Sequence, residues 1–281
     1  MDKRYERILL DADEGIVFKI DENQEEGILS IKALKDLSFN ENQVNRPYMN
    51  PPIPEGYRYL EGTWDEGFVI ERIEDGSQFV WIPVGYLDAN GTQDGGLHYN
   101  LKFGRRLSNS NTEFSKEQFH ETIPKSIVKQ IEKYEGFYVS KYYVSVNENE
   151  KLQAKETKEY SKCDYSDALK NAKSFGDAKG CEYHLIYGAE YDSMIEWLIK
   201  TNASVKYRPR GTKKDTGRSR DDRIMNNICF SDFELTQEAF GKRSQCHVIR
   251  RFYSEPGGYK IMRAVCAKGT RANYRVAMIL K

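Results

Sequence analysis

Val69-Ile70-Glu71-Arg72-Ile73-Glu74-Asp75-Gly76-Ser77-Gln78-Phe79-Val80-Trp81-Ile82 reads as two strands folded back on an Asp-Gly turn. β-Branched and aromatic residues suit a pleated, half-buried strand, and Asp-Gly supplies the backbone freedom that a tight hairpin needs. The hairpin marks the main body as an antiparallel β structure. Residues 57–60 add a strand before it, with Gly62-Thr63 as the turn, and the strand starting at Gln78 extends to Val84.

Helical spacing enters further along. Residues 123–134 place Ile127, Val128 and Ile131 on one stripe, with Pro124 in the first turn. A strand is predicted over 137–146. Residues 164–178 form a second helix, capped by Asp164 or Ser166, with Ala168, Leu169, Ala172 and Phe175 facing inward. Residues 188–200 form another, with Ala189, Met194, Trp197 and Leu198 as its inward set. The stretch 224–281 alternates short strands and turns, broken most clearly at Pro256-Gly257-Gly258. The expected class is α+β: short, twisted antiparallel sheets with two or three helices, plus an N-terminal arm.

Residues 47–56 hold four prolines, which exclude helix and central strand. They divide the chain into an arm or small subdomain at 1–46, an extended connector at 47–56 and a main domain at 57–281. Within the arm, 16–20 reads as a strand, and Ile28, Ile31, Leu34 and Leu37 as a helical stripe. The arm packs either on its own body or on a neighbour. Two long loops, 86–115 and 201–223, interrupt the main domain, and a charged loop spans 147–161. Loops of that length in a compact domain usually carry function.

Charged residues make up 31% of the 281 and hydrophobic ones 39%, the profile of a polar globular chain. No apolar run approaches the roughly 20 residues of a membrane span. The start, Met1-Asp2-Lys3-Arg4-Tyr5-Glu6-Arg7-Ile8-Leu9-Leu10-Asp11, has too short an apolar run for a secretory leader. The expectation is a protein of a cytoplasm, or of a particle assembled there. Cys163, Cys181, Cys229, Cys246 and Cys266 are odd in number and widely spaced, which argues against a disulfide framework. His98, His120, His184 and His247 show no metal-ligand spacing, and His184 reads as a hydrogen-bonded structural residue. The net charge of zero hides a polarity. Residues 1–200 carry 25 Lys and Arg against 36 Asp and Glu, and residues 201–281 carry 18 against 7. Either the two regions pack together within one chain, or they attract neighbouring copies head to tail.

Four segments in order resemble the formylglycine-generating-enzyme (sulfatase-modifying-factor) domain, a variant of the C-type lectin fold. Trp81-Ile82-Pro83 looks like the family's opening strand. Phe137-Tyr138-Val139-Ser140-Lys141-Tyr142-Tyr143-Val144 is similar to its Phe-Tyr-Ile-x-Lys-Tyr-Glu-Val segment, with Tyr143 in place of Glu. Cys163-Asp164-Tyr165-Ser166-Asp167-Ala168 resembles its Asp-Ala helix start. In the stretch 184–192, Leu185, Ala189 and Glu190 match its Arg-Leu-Pro-Thr-Glu-Ala-Glu-Trp-Glu helix. Residues 228–240 stand where the family has Gly-Asn-Val-Trp-Glu-Trp-Thr, keeping Glu234 and Thr236. Tyr274-Arg275-Val276-Ala277 resembles the closing Gly-Phe-Arg-Val-Ala. The resemblance covers roughly 57–281 and implies that the first and last strands of the domain share a sheet.

It also implies where chemistry would sit. Family oxidases bind copper through two cysteines in the C-terminal third. Here Cys266 lies just after that region, and the expected thiol positions hold Ile261 and Pro256. A Cys246–Cys266 pairing is the alternative. Calcium and copper are therefore cofactors by resemblance only, the family's calcium-site block is degraded, and no catalytic or metal-binding residue is assigned. The variants look like those of phage and prophage virion proteins. The leading expectation is a non-catalytic binding or structural protein of a tail, baseplate or capsid. Its partners would be other virion proteins, copies of itself, or a host-surface glycan or protein. Candidate binding residues are Tyr99, Arg105 and Arg106 in the first loop and Tyr207, Arg208, Arg210, Lys213 and Lys214 in the second. The segment 206–223 holds eight Lys and Arg, with Tyr207 as its only aromatic. A metal-dependent oxidoreductase and a nucleic-acid-associated protein using the 201–223 loop are the alternatives.

Overall fold

The structure is a computed structural model. It describes residues 5–10, 17–19, 51–62, 67–88, 98–101, 119–120, 124–176, 180–201, 205–207, 223–225, 227–230, 233–240, 247–255, 258–266 and 268–280. Near the N-terminus lie β1 (Tyr5–Leu10), β2 (Val17–Lys19) and β3 (Pro52–Pro54). Three antiparallel strands follow: β4 (Tyr57–Glu61), β5 (Val69–Arg72) and β6 (Gln78–Pro83). A hairpin of β7 (Gly85–Asp88) and β8 (His98–Leu101), then β9 (Phe119–His120), lead to helix α1 (Lys125–Tyr134). Next come β10 (Gly136–Ser140), the small hairpin β11 (Ser145–Val146) and β12 (Leu152–Gln153), helix α2 (Tyr165–Lys173), β13 (Cys181–Leu185), helix α3 (Gly188–Thr201) and β14 (Val205–Tyr207). The last part is strand-rich: β15 (Arg223–Met225), β16 (Ile228–Phe230), β17 (Glu234–Phe240), β18 (His247–Glu255), β19 (Gly258–Cys266), β20 (Asn273–Tyr274) and β21 (Val276–Leu280).

Two larger sheets organise these elements into a mixed α+β architecture with mostly antiparallel pairing. The first runs β13-β21-β10-β6-β5-β4, antiparallel throughout. It contains both the opening strand of the main body and the closing one, with β10 between them. The second runs β14-β19-β18-β17-β20, with β9 also pairing β17. Its β14 and β20 are the parallel members. No helix among the described residues is long and apolar enough to cross a membrane.

Alternation along the strands explains how the first sheet is covered. Phe79 and Tyr183 pack with Phe175, just past the end of α2, at ring separations of 6.0 and 5.2 Å. The next residue along, His184, points to the opposite face and meets Glu190 in the first turn of α3. The two helices therefore dock on opposite faces. Ala168 and Ala172 are the buried residues of α2. In α3, Ala189, Met194, Trp197 and Leu198 are all buried, as their spacing predicts.

Helix α1 completes the first sheet in another way. The β10–β21 ladder pairs Tyr138 with Met278 and Val139 with Ala277. Beyond it, Gln130 takes over. Its amide donates to Met278 O at 3.2 Å and its oxygen accepts from Leu280 N at 2.7 Å. A side-chain amide thus satisfies strand groups that would otherwise be buried without a partner.

Several boundaries differ from the sequence reading. The strand expected over 137–146 stops at Ser140, because the Ser140 and Lys141 carbonyls are taken by the Arg275 guanidinium. The helix expected to reach 178 ends at Lys173, where the Ser174 hydroxyl donates to Lys170 O and Asn171 O. The turn between β5 and β6 uses four residues, 73–76, closed by Gly76 at φ +77°. Part of the 86–115 loop is the β7–β8 hairpin. The short strands expected near the C-terminus include β18 and β19, which pair over nine consecutive positions. Pro52 and Pro54 of the connector sit on an edge strand, where β3 pairs only β1. The helical stripe expected over 28–37 lies outside the described residues.

Asp75 holds the β5–β6 turn. Burial alone would raise its pKa, but hydrogen bonds from Arg72 and Ser77, with the Arg72 charge, hold it below the ordinary carboxylate value. Its stabilising contribution is therefore present above the unfolded-state value of about 3.9 and lost as pH falls through the lower folded value. Urea unfolding should show Asp75→Asn destabilised at neutral pH, with the gap to the parent chain narrowing as pH falls below about 3.9. Gly136 offers a second check. A Cβ there would lie 2.3 Å from the Trp81 ring and 2.7 Å from Ile82 O. Gly136→Ala should cost about 1–3 kcal/mol in the same measurement.

Candidate functional site

Charged residues placed inside apolar runs are the clearest sign of a special interior. Arg275 stands between Tyr274, the end of β20, and Val276, the start of β21. It is the residue at which the chain passes from the second sheet to the first, and it is fully buried. Nη1 donates to Ser140 O at 2.9 Å and Lys141 O at 3.0 Å, and Nη2 donates to Cys229 O. Nε lies 2.9 Å from Glu234 Oε1. The guanidinium also sits over the rings of Tyr143 and Phe230, 4.3 and 5.1 Å from their centroids.

A second pair extends the cluster. Glu234 on β17 is in register with Arg250 on β18. Arg250 Nη1 lies 2.9 Å from Asp192 Oδ1 of α3, and its guanidinium is 5.2 Å from the Tyr191 ring centre. Both ion pairs approach off the N–H axes, so they are ionic contacts more than directed hydrogen bonds. Burial pushes the Glu234 carboxyl upward, opposed by Arg275, Arg250 and the Tyr143 hydroxyl. Burial works against the charge on Arg275, and Glu234 more than restores it. Burial, helped by the charge of Glu234, also pushes the Tyr191 hydroxyl well up. The cluster thus joins the two sheets and α3 through dry ion pairs. In the sequence, Arg275 and Glu234 stand out only as motif positions. Their isolation among apolar neighbours was the signal that marks them for burial.

His184 is hydrogen-bonded, as expected of it. Its Nε2 lies 2.9 Å from each oxygen of Glu190, and Glu190 also accepts from Tyr187 N at 2.9 Å. Glu190 therefore works as the third-position carboxylate of a capping box at the start of α3. Cys163, Cys181, Cys229 and Cys266 are buried and form no disulfide with one another. Burial, with Asp167 and Asp164 nearby, pushes Cys163 up to about 12. Cys266 donates to His247 O at 3.3 Å. Cys246 lies outside the described residues, and so does the proposed Cys246–Cys266 pairing. Among the described residues, no group of three His, Cys, Asp or Glu is placed to hold a metal ion.

Two of the candidate binding residues fall on strands. Tyr99 is on β8, in register with Leu87 of β7. Tyr207 ends β14, in register with Ile261 of β19. Arg105, Arg106, Arg208, Arg210, Lys213 and Lys214 lie outside the described residues. Helix α3 packs against both β8 and β14. The strands at the roots of the two long loops therefore meet one helix, and the Arg250–Asp192 pair ties that helix to the second sheet. Loop composition carries no sign of this shared support.

Compared with family models, curated proteins and solved structures, the chain finds no match in any of the three.

The buried pairs make a mutational prediction. Arg275→Met leaves the Glu234 carboxylate buried without its partner, and should cost about 3–5 kcal/mol. Combining it with Glu234→Gln removes both charges and should recover a large part of that loss. Urea unfolding of the single and double variants measures the difference.

Proposed function

We propose that the chain is a non-catalytic binding or structural protein, a tail, baseplate or capsid component of a phage or prophage particle. The reading takes its scaffold as a C-type lectin-like domain of the formylglycine-generating-enzyme kind, with residues 1–46 as an arm, 47–56 as a connector and 57–281 as the displaying body. One observation carries it: the β7–β8 hairpin and β14, from which the two long loops depart, both pack on α3. A helix buried continuously from Ala189 to Ile195 and fixed near its start by Glu190 and Asp192 is a rigid platform for loop display. Supporting it, the interior carboxylates Glu190, Asp192 and Glu234 are engaged by His184, Arg250 and Arg275. The opening and closing strands of the body share one sheet, which suits the proposed scaffold.

In this reading the loop residues Tyr99, Arg105, Arg106, Tyr207, Arg208, Arg210, Lys213 and Lys214 contact the partner. Partners are other particle proteins, further copies of the chain, or a host-surface glycan or protein. The protein resides in the particle or in the cytoplasm where particles are built.

Two measurements test it. Antibody raised against the protein should label particles released by the source strain, and the chain should appear in their protein inventory. Native mass spectrometry after copper or iron addition should return the metal-free mass. Stoichiometric metal together with oxidation of a substrate cysteine would replace the proposal with the oxidase alternative. Salt-dependent DNA binding, lost on neutralising Arg208, Arg210, Lys213 and Lys214, would replace it with the nucleic-acid one.

A further inference from the structure

Helix α2 touches the second sheet at its first residue. The Tyr165 ring lies parallel to the imidazole of His247, the first residue of β18. The ring centres are 3.5 Å apart, with 10° between the planes. Strand alternation puts His247 on the face of the sheet opposite Arg250, so α2 and α3 lie on its two sides. At its other end α2 leads into Phe175, which packs on the first sheet. The helix thus spans both sheets, and the stacked pair is its foot on the second.

One nitrogen of that imidazole is shut in. His247 Nδ1 is buried and has no hydrogen-bond partner among the described residues. A neutral imidazole can leave this nitrogen unprotonated. An imidazolium carries N–H on both nitrogens, so Nδ1–H would be a buried donor without an acceptor.

The surrounding elements bring groups of both signs to this end of the helix. α2 contributes Asp164 and Asp167, but the Asp164 carboxylate already accepts from Asp167 N at 3.0 Å. Arg271, before β20, donates to Lys162 O at 2.7 Å. β19 places Cys266 in register with His247, its thiol donating to the His247 carbonyl, and exposed Lys268 follows that strand. β17 places Ala239 on the other side. None of these groups bonds Nδ1. The first turn of α2 adds the positive end of the helix dipole. Burial accordingly holds His247 below its usual value of 6.5.

We propose that the Tyr165–His247 stack is an acid-sensitive clasp. It holds the first turn of α2 on β18 while His247 is neutral, and lets that turn go when the imidazole is protonated. The opened form binds the proton more tightly, because an exposed histidine titrates near about 6.5. The contact is therefore complete above about pH 6.5, and its contribution is lost as pH falls from there through the lower folded value. The neighbouring Cys163–Ala272 bridge is made by backbone groups, which do not titrate, so the release is confined to the helix start. The clasp rests on no part of the functional reading.

Hydrogen exchange read by mass spectrometry tests it, on the full chain with a chelator present, at about pH 7.5 and about pH 5. After correction for intrinsic rates, protection over α2 should fall about three- to thirtyfold further in the parent than in His247→Phe. That variant keeps a ring on Tyr165 and cannot titrate. Protection over β10, at the centre of the first sheet, should change equally in both. Proton NMR of the His247 ring in the parent should give a midpoint below about 6.5, a readout that does not need the variant to fold. A loss over α2 no greater in the parent than in His247→Phe would overturn the proposal. So would a His247 midpoint at or above about 6.5, or an equal extra loss over β10, which would mean general loosening in acid.

Discussion

A guanidinium with no exposure to solvent holds this protein's two main sheets together. Arg275 occupies the single residue between β20 and β21, so its backbone belongs to the crossing between sheets. Its side chain reaches the end of β10, the β16 carbonyl of Cys229 and the carboxylate of Glu234 on β17. Removing such a charge from water is costly, and the cost is offset here by carbonyl acceptors on both Nη atoms and by a close counter-charge. These contacts fix the relative position of β10, β16 and β17 at once. Hydrophobic packing around it tolerates small displacements, whereas a buried ion pair does not.

The same logic passes outward through α3. Asp192 faces Arg250, and Glu190 faces His184 two residues earlier. The helix is therefore pinned to the second sheet by one carboxylate and to the β13 edge of the first by the other. Apolar residues on the helix supply its burial, and the two acids supply its orientation. β8 and β14 both pack on this helix, so the interior network also holds these two strands.

Much of the framework was legible from pattern. Asp75-Gly76 between two β-rich runs marked the β5–β6 hairpin, and period-3.6 apolar spacing marked the three helices of the described residues. Ala189, Met194, Trp197 and Leu198 were identified as inward residues and are buried. Strand ends were less legible. The run from Phe137 to Val146 is continuous in β propensity, yet the strand stops at Ser140, because a residue 135 positions away claims that carbonyl. The β7–β8 hairpin was hidden by the glycine, asparagine and threonine between its arms, a composition that reads as loop whether or not flanking strands pair.

Local composition determines which segments of this chain become strands and helices, because backbone propensity and apolar period act over a few residues. It also determines the opposed charge of residues 1–200 and 201–281, a property of composition alone. Tertiary structure alone decides that Arg275, Glu234, Arg250 and Asp192 meet, and that strands from two distant loops share α3. The reason is one of range. A buried charge is stabilised by partners gathered from across the chain, and the sequence spacing between them carries no record of the distance at which they finally stand.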